Sequence, residues 1–140
     1  MSEEPVRGLI IAHSSLAAGL AAAVRQIAGI GDEALQTISN EGRGPDSLLN
    51  EVRKAAGDSP VLLFTDMASG SCALAARKVA AERPSTGVIC GVNLPVLLDF
   101  VFHRELPLKV LVDRLIDKGK GGIVGACTEE GVRADRAISR

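Results

Sequence analysis

The chain has 140 residues, 46% of them hydrophobic, and a formal net charge of -1 from 16 basic and 17 acidic side chains. That length suffices for one domain with a core, and the balanced charge excludes the electrostatic footprint of a nucleic-acid or anionic-membrane binder. With no Trp or Tyr and only 3 Phe, the chain also lacks the aromatic platforms on which single-stranded bases stack.

Short apolar runs alternate with longer helical patterns along the chain. Val6–Ala12 reads as a strand and Leu16–Ala28 as a helix capped by Ser14 or Ser15. Ala34–Ser39 is a weaker strand, Gly42–Pro45 breaks the chain, and Asp46–Ala56 is a short helix. The segment PVLLFTD is an almost unbroken apolar strand, as expected where both sheet faces are covered. GSCALAARKVAAER is a helix starting near Gly70, and TGVICGV a fourth buried strand. LPVLLDFVFHR and PLKVLVDRLIDKG form two helices separated at Pro107, and GGIVGAC reads as a short fifth strand. The expected organisation is one domain over residues 1–127 with a polar tail over 128–140.

The βαβ alternation implies a mainly parallel, open doubly wound α/β sheet with helices on both faces and right-handed crossovers. The acidic N-terminus MSEEPVR is unlike a signal peptide, and the most apolar stretch is interrupted by Asn93, Pro95 and Asp99. Three cysteines, Cys72, Cys90 and Cys127, with no CxxC pair, fit a reduced cytoplasmic protein.

Ligand sites in such sheets form at the carboxyl ends of strands, where the strand order reverses. His13 follows the first strand directly and Asp66 ends the third. If the order is 2-1-3-4, those strands are neighbours about 4.8 Å apart and both side chains leave the same edge. A carboxylate that accepts a proton from one imidazole nitrogen sets the tautomer and frees the other nitrogen as a nucleophile. The MASGSC turn then leads into a helix whose first N–H groups form an anion site. Together these residues suggest phosphoryl transfer through phosphohistidine. The same residues also admit plainer roles, with His13 as a hydrogen-bonded structural residue and Asp66 as a helix cap.

The segments GLIIAHSSLAAGL, VLLFTDMASGSCALAARKVA and GVICGVNLPVLLDFV resemble, in order and register over about residues 6–125, the signature regions of the mannose-type IIA family of the bacterial phosphoenolpyruvate-dependent sugar phosphotransferase system. The resemblance implies four parallel strands in the order 2-1-3-4 and a short fifth strand exchanged between the subunits of a homodimer. It implies that His13 takes a phosphoryl group from the carrier protein HPr and passes it to a IIB domain. By position, Asp66 matches the orienting carboxylate, and Ser69, Gly70 and Ser71 lie at the helix start facing the phosphoryl group. The usual Gly-Gly-Ser-Pro is SGSC here, with Ser69 in place of a glycine and Cys72 in place of a proline.

No cofactor and no metal are expected, nor a nucleic-acid partner or direct membrane insertion. Cys72 reads as a packing residue, Cys90 as core, His103 as a helix-end residue, Arg43 as a solvated loop charge, and Asn93 as the start of a helix with Pro95 in its first turn. Two functions fit: a phosphoryl carrier in sugar uptake, or a stand-alone regulator signalling through its phosphohistidine. A receiver domain needs an acidic pair after the first strand, where this chain has AHSS, and an interaction module with a dead site is the remaining alternative.

Overall fold

The computed structural model describes residues 4–29 and 33–128; the polar tail expected at the C-terminus lies, from residue 129 on, outside the described residues. Four strands, β1 (Arg7–Ala12), β2 (Leu35–Ser39), β3 (Val61–Thr65) and β4 (Thr86–Cys90), form one parallel sheet in the order β2-β1-β3-β4. Among the described residues five helices accompany them: α1 (Leu16–Ala28), α2 (Pro45–Ala56), α3 (Ser71–Glu82), α4 (Leu94–Val101) and α5 (Leu108–Gly121).

The two inner strands explain the layering. Every residue of β3 is buried, because one set of its side chains meets each helical layer. Ile10, Leu62 and Phe64 pack with α1, α4 and α5 through Val24, Leu97, Phe100 and Leu111. Leu9, Ile11 and Leu63 pack with α2 and α3 through Leu48, Val52, Ala76 and Val79. This period-two division of a near-continuous apolar run is the pattern of a sheet covered on both faces. Phe64 and Phe100 meet edge to face, their centroids 5.1 Å apart.

Element boundaries depart from the sequence reading in three places. The fourth helix stops at Val101 instead of continuing to Arg104, because Arg104 is diverted: its carbonyl accepts from the Val6 N–H at 2.9 Å and its Nε donates to the Val6 carbonyl at 2.8 Å. The fifth helix runs on through the glycines to Gly121. Gly119 lies so close to α4 that a Cβ would come within 2.5 Å of Val96 Cγ2, and its carbonyl accepts from Asn93 Nδ2 at 3.0 Å. The third departure is the fifth strand: within the single chain, residues 123–128 form no strand, and Ile123 and Val124 are exposed.

Asn93 does open α4, accepting the Val96 N–H at 3.1 Å. Cys90 closes β4 at the sheet edge, half-buried instead of in the core, because the strand ends there. Among the described residues, no helix is long and apolar enough to cross a membrane.

Packing over Gly8 yields a test. A Cβ there would stand 2.6 Å from Phe100 Cε2 and 2.7 Å from Leu35 Cδ2, whereas one on Gly19, on the exposed side of α1, would meet nothing within 4 Å. Gly8→Ala is expected to destabilise the chain by about 1–3 kcal/mol through overpacking. Gly19→Ala is expected to stabilise it by about 0.5–1 kcal/mol through helix propensity. Urea unfolding of both variants checks the opposite signs.

Candidate active site

The sheet order sets β1 beside β3, and the chain ends of both strands meet at one edge. Ile11 pairs in register with Thr65, so His13, directly after the last residue of β1, and Asp66, directly after β3, leave the sheet at the same edge. Asp66 Oδ2 accepts twice from the same residue: from the His13 backbone N–H at 3.1 Å and from the ring at Nδ1, 2.8 Å away. A carboxylate is acceptor-only, so Nδ1 carries a proton, and in the neutral ring it is Nε2 that keeps the lone pair. The His13 side chain is 41% exposed and that of Asp66 only 10%. Nε2 thus belongs to a ring open to solvent but anchored from below.

Each partner is held by its own turn. Ser14 adopts φ of 53°, a left-handed conformation uncommon for a residue with a Cβ. It is secured from the neighbouring strand: its N–H donates to Asn40 Oδ1 at 3.2 Å, and its carbonyl accepts from Ser39 Oγ at 2.7 Å. On the other side Thr65, fully buried, donates its hydroxyl to the Met67 carbonyl at 2.7 Å. Its carbonyl accepts from Gly91 and Val92, tying the Asp66 turn to the end of β4. Ser39, Asn40 and Thr65 escaped the sequence reading. The available signal was positional: polar residues at the ends of the strands that flank the histidine and aspartate.

Gly70 is the N-cap of α3, with φ of 97°, and makes no side-chain cap. A Cβ built on it would lie 3.9 Å from His13 Cε1. The first intrahelical bond is Leu74 N–H to the Gly70 carbonyl at 3.0 Å, so the N–H groups of Ser71, Cys72 and Ala73 precede the ladder and face outward at the positive end of the helix. Of the three residues expected at the phosphoryl position, Gly70 is the one set against the imidazole, while Ser69 and Ser71 are exposed beside it.

Burial acts to raise the Asp66 pKa, but the hydrogen bonds from the His13 amide and ring, with the charge on the ring, outweigh it and hold the carboxyl below its ordinary value of 3.8. Asp66 Oδ1 is buried without a hydrogen-bond partner. Cys72 is buried, its Sγ 3.9 Å from His13 Nδ1. Burial and the Asp66 charge push the thiol pKa up, against a smaller opposing pull from Ser71. The thiol is therefore not activated, and the packing role expected for Cys72 agrees with its position. Arg43 lies apart, donating to the Ser39 carbonyl and to Glu51. His103 sits at the end of α4, bonded through Nδ1 to the Asp99 carbonyl at 2.8 Å.

A family model described as "PTS system fructose IIA component" (EIIA-man) matches residues 8–115. Among solved structures, the phosphotransferase system component EIIA from Streptococcus agalactiae is 22% identical with a TM-score of 0.78, covering 85% of this chain and 95% of that one. The mannose/sorbose specific IIA subunit from Enterococcus faecalis is 19% identical with a TM-score of 0.78, covering 92% and 100%. A sigma-54 interaction domain protein from Enterococcus faecalis shares the fold at 15% identity and a TM-score of 0.70, covering 86% and 94%.

The depressed Asp66 pKa has a consequence for stability. Its native value lies below the unfolded one, so the ionised carboxylate stabilises the fold above the ordinary carboxylate range, and that contribution is lost as pH falls through the native value. The stability gap between the wild type and Asp66→Asn is expected to stay constant above about pH 5 and to shrink as the pH drops below about 4. Denaturation titrations across that range measure it; a gap independent of pH would contradict the linkage.

Proposed function

The chain belongs to the EIIA-man family of phosphotransferase-system IIA components, a membership that supports a phosphotransfer role in a sugar phosphotransferase system, and from it we propose that this protein is a cytoplasmic phosphoryl carrier that accepts the group on His13 from phospho-HPr and passes it to a IIB protein or domain. The observation that carries this reading is the His13–Asp66 pair, with Nδ1 tied down and Nε2 left as the only nucleophilic ring nitrogen.

In the proposed step the Nε2 lone pair attacks the phosphorus of phospho-HPr. The new N–P bond forms as the bond to the HPr imidazole breaks, and that imidazole leaves with its electron pair. The His13 ring keeps the Nδ1 proton and gains positive character, which the Asp66 carboxylate offsets. The three phosphoryl oxygens are placed to meet the N–H groups of Ser71, Cys72 and Ala73. Transfer to the IIB acceptor is the same exchange in reverse. Met67, next to Asp66 in the turn, and Leu74, in the first turn of α3, are exposed apolar side chains, with Arg77 and Lys78 on the exposed face of α3; these are the residues we assign to the rim against which both partners dock. The regulatory alternative draws on the appearance of the fold in a protein named for sigma-54 interaction, and the presence or absence of neighbouring permease genes separates the two.

Incubation with phosphoenolpyruvate, enzyme I and HPr is expected to label His13 alone, read by mass spectrometry under alkaline conditions that preserve phosphohistidine. His13→Ala abolishes labelling while the chain stays folded, and undiminished labelling of that variant would sink the reading. Asp66→Asn is expected to slow transfer by about tenfold or more, about 1.4 kcal/mol of barrier per factor of ten. An amide bonds the ring without selecting the tautomer or offsetting its charge.

We also infer a homodimer in which residues 121–127 pair with the sheet of the other subunit. The support is an open β4 edge at one end of the sheet and two exposed aliphatic residues, Ile123 and Val124, on a segment with no strand of its own. Deleting the chain from Gly121 onward is expected to give monomers in sedimentation at concentrations where the full chain is dimeric.

A further inference from the structure

Three metal-ligating atoms of different kinds converge beneath the exposed face of His13. The ring nitrogen Nδ1, the Asp66 carboxylate and Cys72 Sγ all lie within 4.8 Å of one another. The separations are 2.8 Å from Nδ1 to Asp66 Oδ2 and 3.9 Å from Nδ1 to Sγ. An ion bound tetrahedrally by nitrogen, oxygen and sulfur needs about 3.4 Å between its N and O ligands and about 3.6 Å between its N and S ligands. The observed N–O spacing of 2.8 Å must open and the N–S spacing of 3.9 Å must close, each by less than about 1 Å, so small side-chain movements form the site.

Two further observations single the cluster out from a chance grouping. Asp66 Oδ1 is buried without a hydrogen-bond partner on a side chain only 10% exposed, so this carboxylate has an unused acceptor oxygen, and the one bond a metal must replace is that from Nδ1 to Oδ2. Cys72, at the position where the family pattern has proline, is wholly buried in the first turn of α3, and its sulfur is directed to the one titratable ring of the site. The residues stand 53 and 6 positions apart in the sequence (13, 66 and 72), which is why no ligand motif was legible there and no metal was expected.

We propose that His13 Nδ1, Asp66 and Cys72 form a site for a divalent transition metal of the zinc class, with the fourth position open to solvent, and that metal binding switches off phosphoryl acceptance. The ligand set is imidazole, carboxylate and thiolate, which suits zinc or cobalt over the oxygen-seeking magnesium and calcium. Binding at Nδ1 displaces the proton now donated to Asp66 and leaves the neutral ring protonated at Nε2; the thiol gives its proton to solvent. A ring carrying its proton on Nε2 has no lone pair there to attack phosphorus. The metal therefore acts through the tautomer rather than by covering the site. This second half rests on the phosphoryl-carrier reading, whereas the metal site itself does not.

The test uses the full chain, freed of metal with a chelator, and two separate readouts. Titration with Co²⁺ is expected to produce the visible bands of four-coordinate cobalt and a near-ultraviolet thiolate charge-transfer band, both removed by an equivalent of Zn²⁺. Cys72→Ser abolishes the thiolate band; Cys90→Ser and Cys127→Ser retain it. Absence of that band, or its persistence in Cys72→Ser, overturns the site. In the second readout, purified phospho-HPr labels His13 in the metal-free chain, zinc suppresses the labelling, and chelator restores it. Full labelling of the zinc-loaded chain overturns the switch. A metal-free chain that takes no label overturns the carrier reading instead and leaves the metal site to its spectrum.

Discussion

One carboxylate oxygen organises this molecule's chemistry. Asp66 Oδ2 accepts from both the amide and the ring of His13, so the same atom fixes the backbone turn and the imidazole orientation. Neither bond would form without the parallel pairing of β1 with β3, and that pairing exists because the central residues of both strands, Leu9–Ile11 and Leu62–Phe64, are apolar and covered on two faces. The core and the site are therefore one construction: the hydrophobic run that buries β3 also delivers its terminal aspartate to the edge. Carrying an ionised carboxylate at that depth is unfavourable by desolvation. Two charge-assisted hydrogen bonds from a single residue outweigh it, and the net effect is a depressed pKa.

Much of this was legible in the sequence, for physical reasons particular to each element. β3 could be read because four consecutive apolar residues, Val61–Phe64, followed by Thr-Asp have few alternatives in a chain of alternating helices and strands. α1 could be read because alanine-rich helical periodicity follows two serines and ends at Gly29, which takes the left-handed conformation at the C-cap. His13 and Asp66 stood out because a histidine and an aspartate follow their strands immediately. The assumed strand order brought them together, and the structure has that order.

What was not legible depends on contacts between distant residues. The left-handed Ser14 rests on Ser39 and Asn40, more than twenty residues away, and nothing local to Ser14 announces the strain. The early end of α4 is set by Arg104, whose carbonyl and side chain both bond the backbone of Val6, 98 residues away. α5 continues through glycines that normally end helices because Gly119 and Gly122 pack where a Cβ would collide with Val96 and Pro95. Propensity favours a stop there, and packing against α4 overrides it. The apolar composition of residues 121–127 reads as strand because composition registers the need for burial, not the partner that provides it.

The start of α3 shows how a missing interaction becomes part of a site. Most helices place Ser, Thr, Asp or Asn at the N-cap, where a side-chain oxygen satisfies one of the first N–H groups. Here the N-cap is Gly70, which has no side chain to do so and adopts a φ of 97° that disfavours any residue with a Cβ. The same lack of a Cβ lets the backbone lie close to the His13 ring. A capping aspartate at this position would have stabilised the isolated helix by roughly 1 kcal/mol. It would also have occupied one of the N–H groups and placed a negative charge next to the ring, opposing any incoming anion. The glycine forgoes that local stability and leaves the positive end of the helix open above the imidazole, while Asp66 supplies negative charge from below. The ring thus sits between a carboxylate on its protonated side and free amide donors on its open side, a polarity suited to holding an anionic group on one nitrogen while keeping the proton on the other.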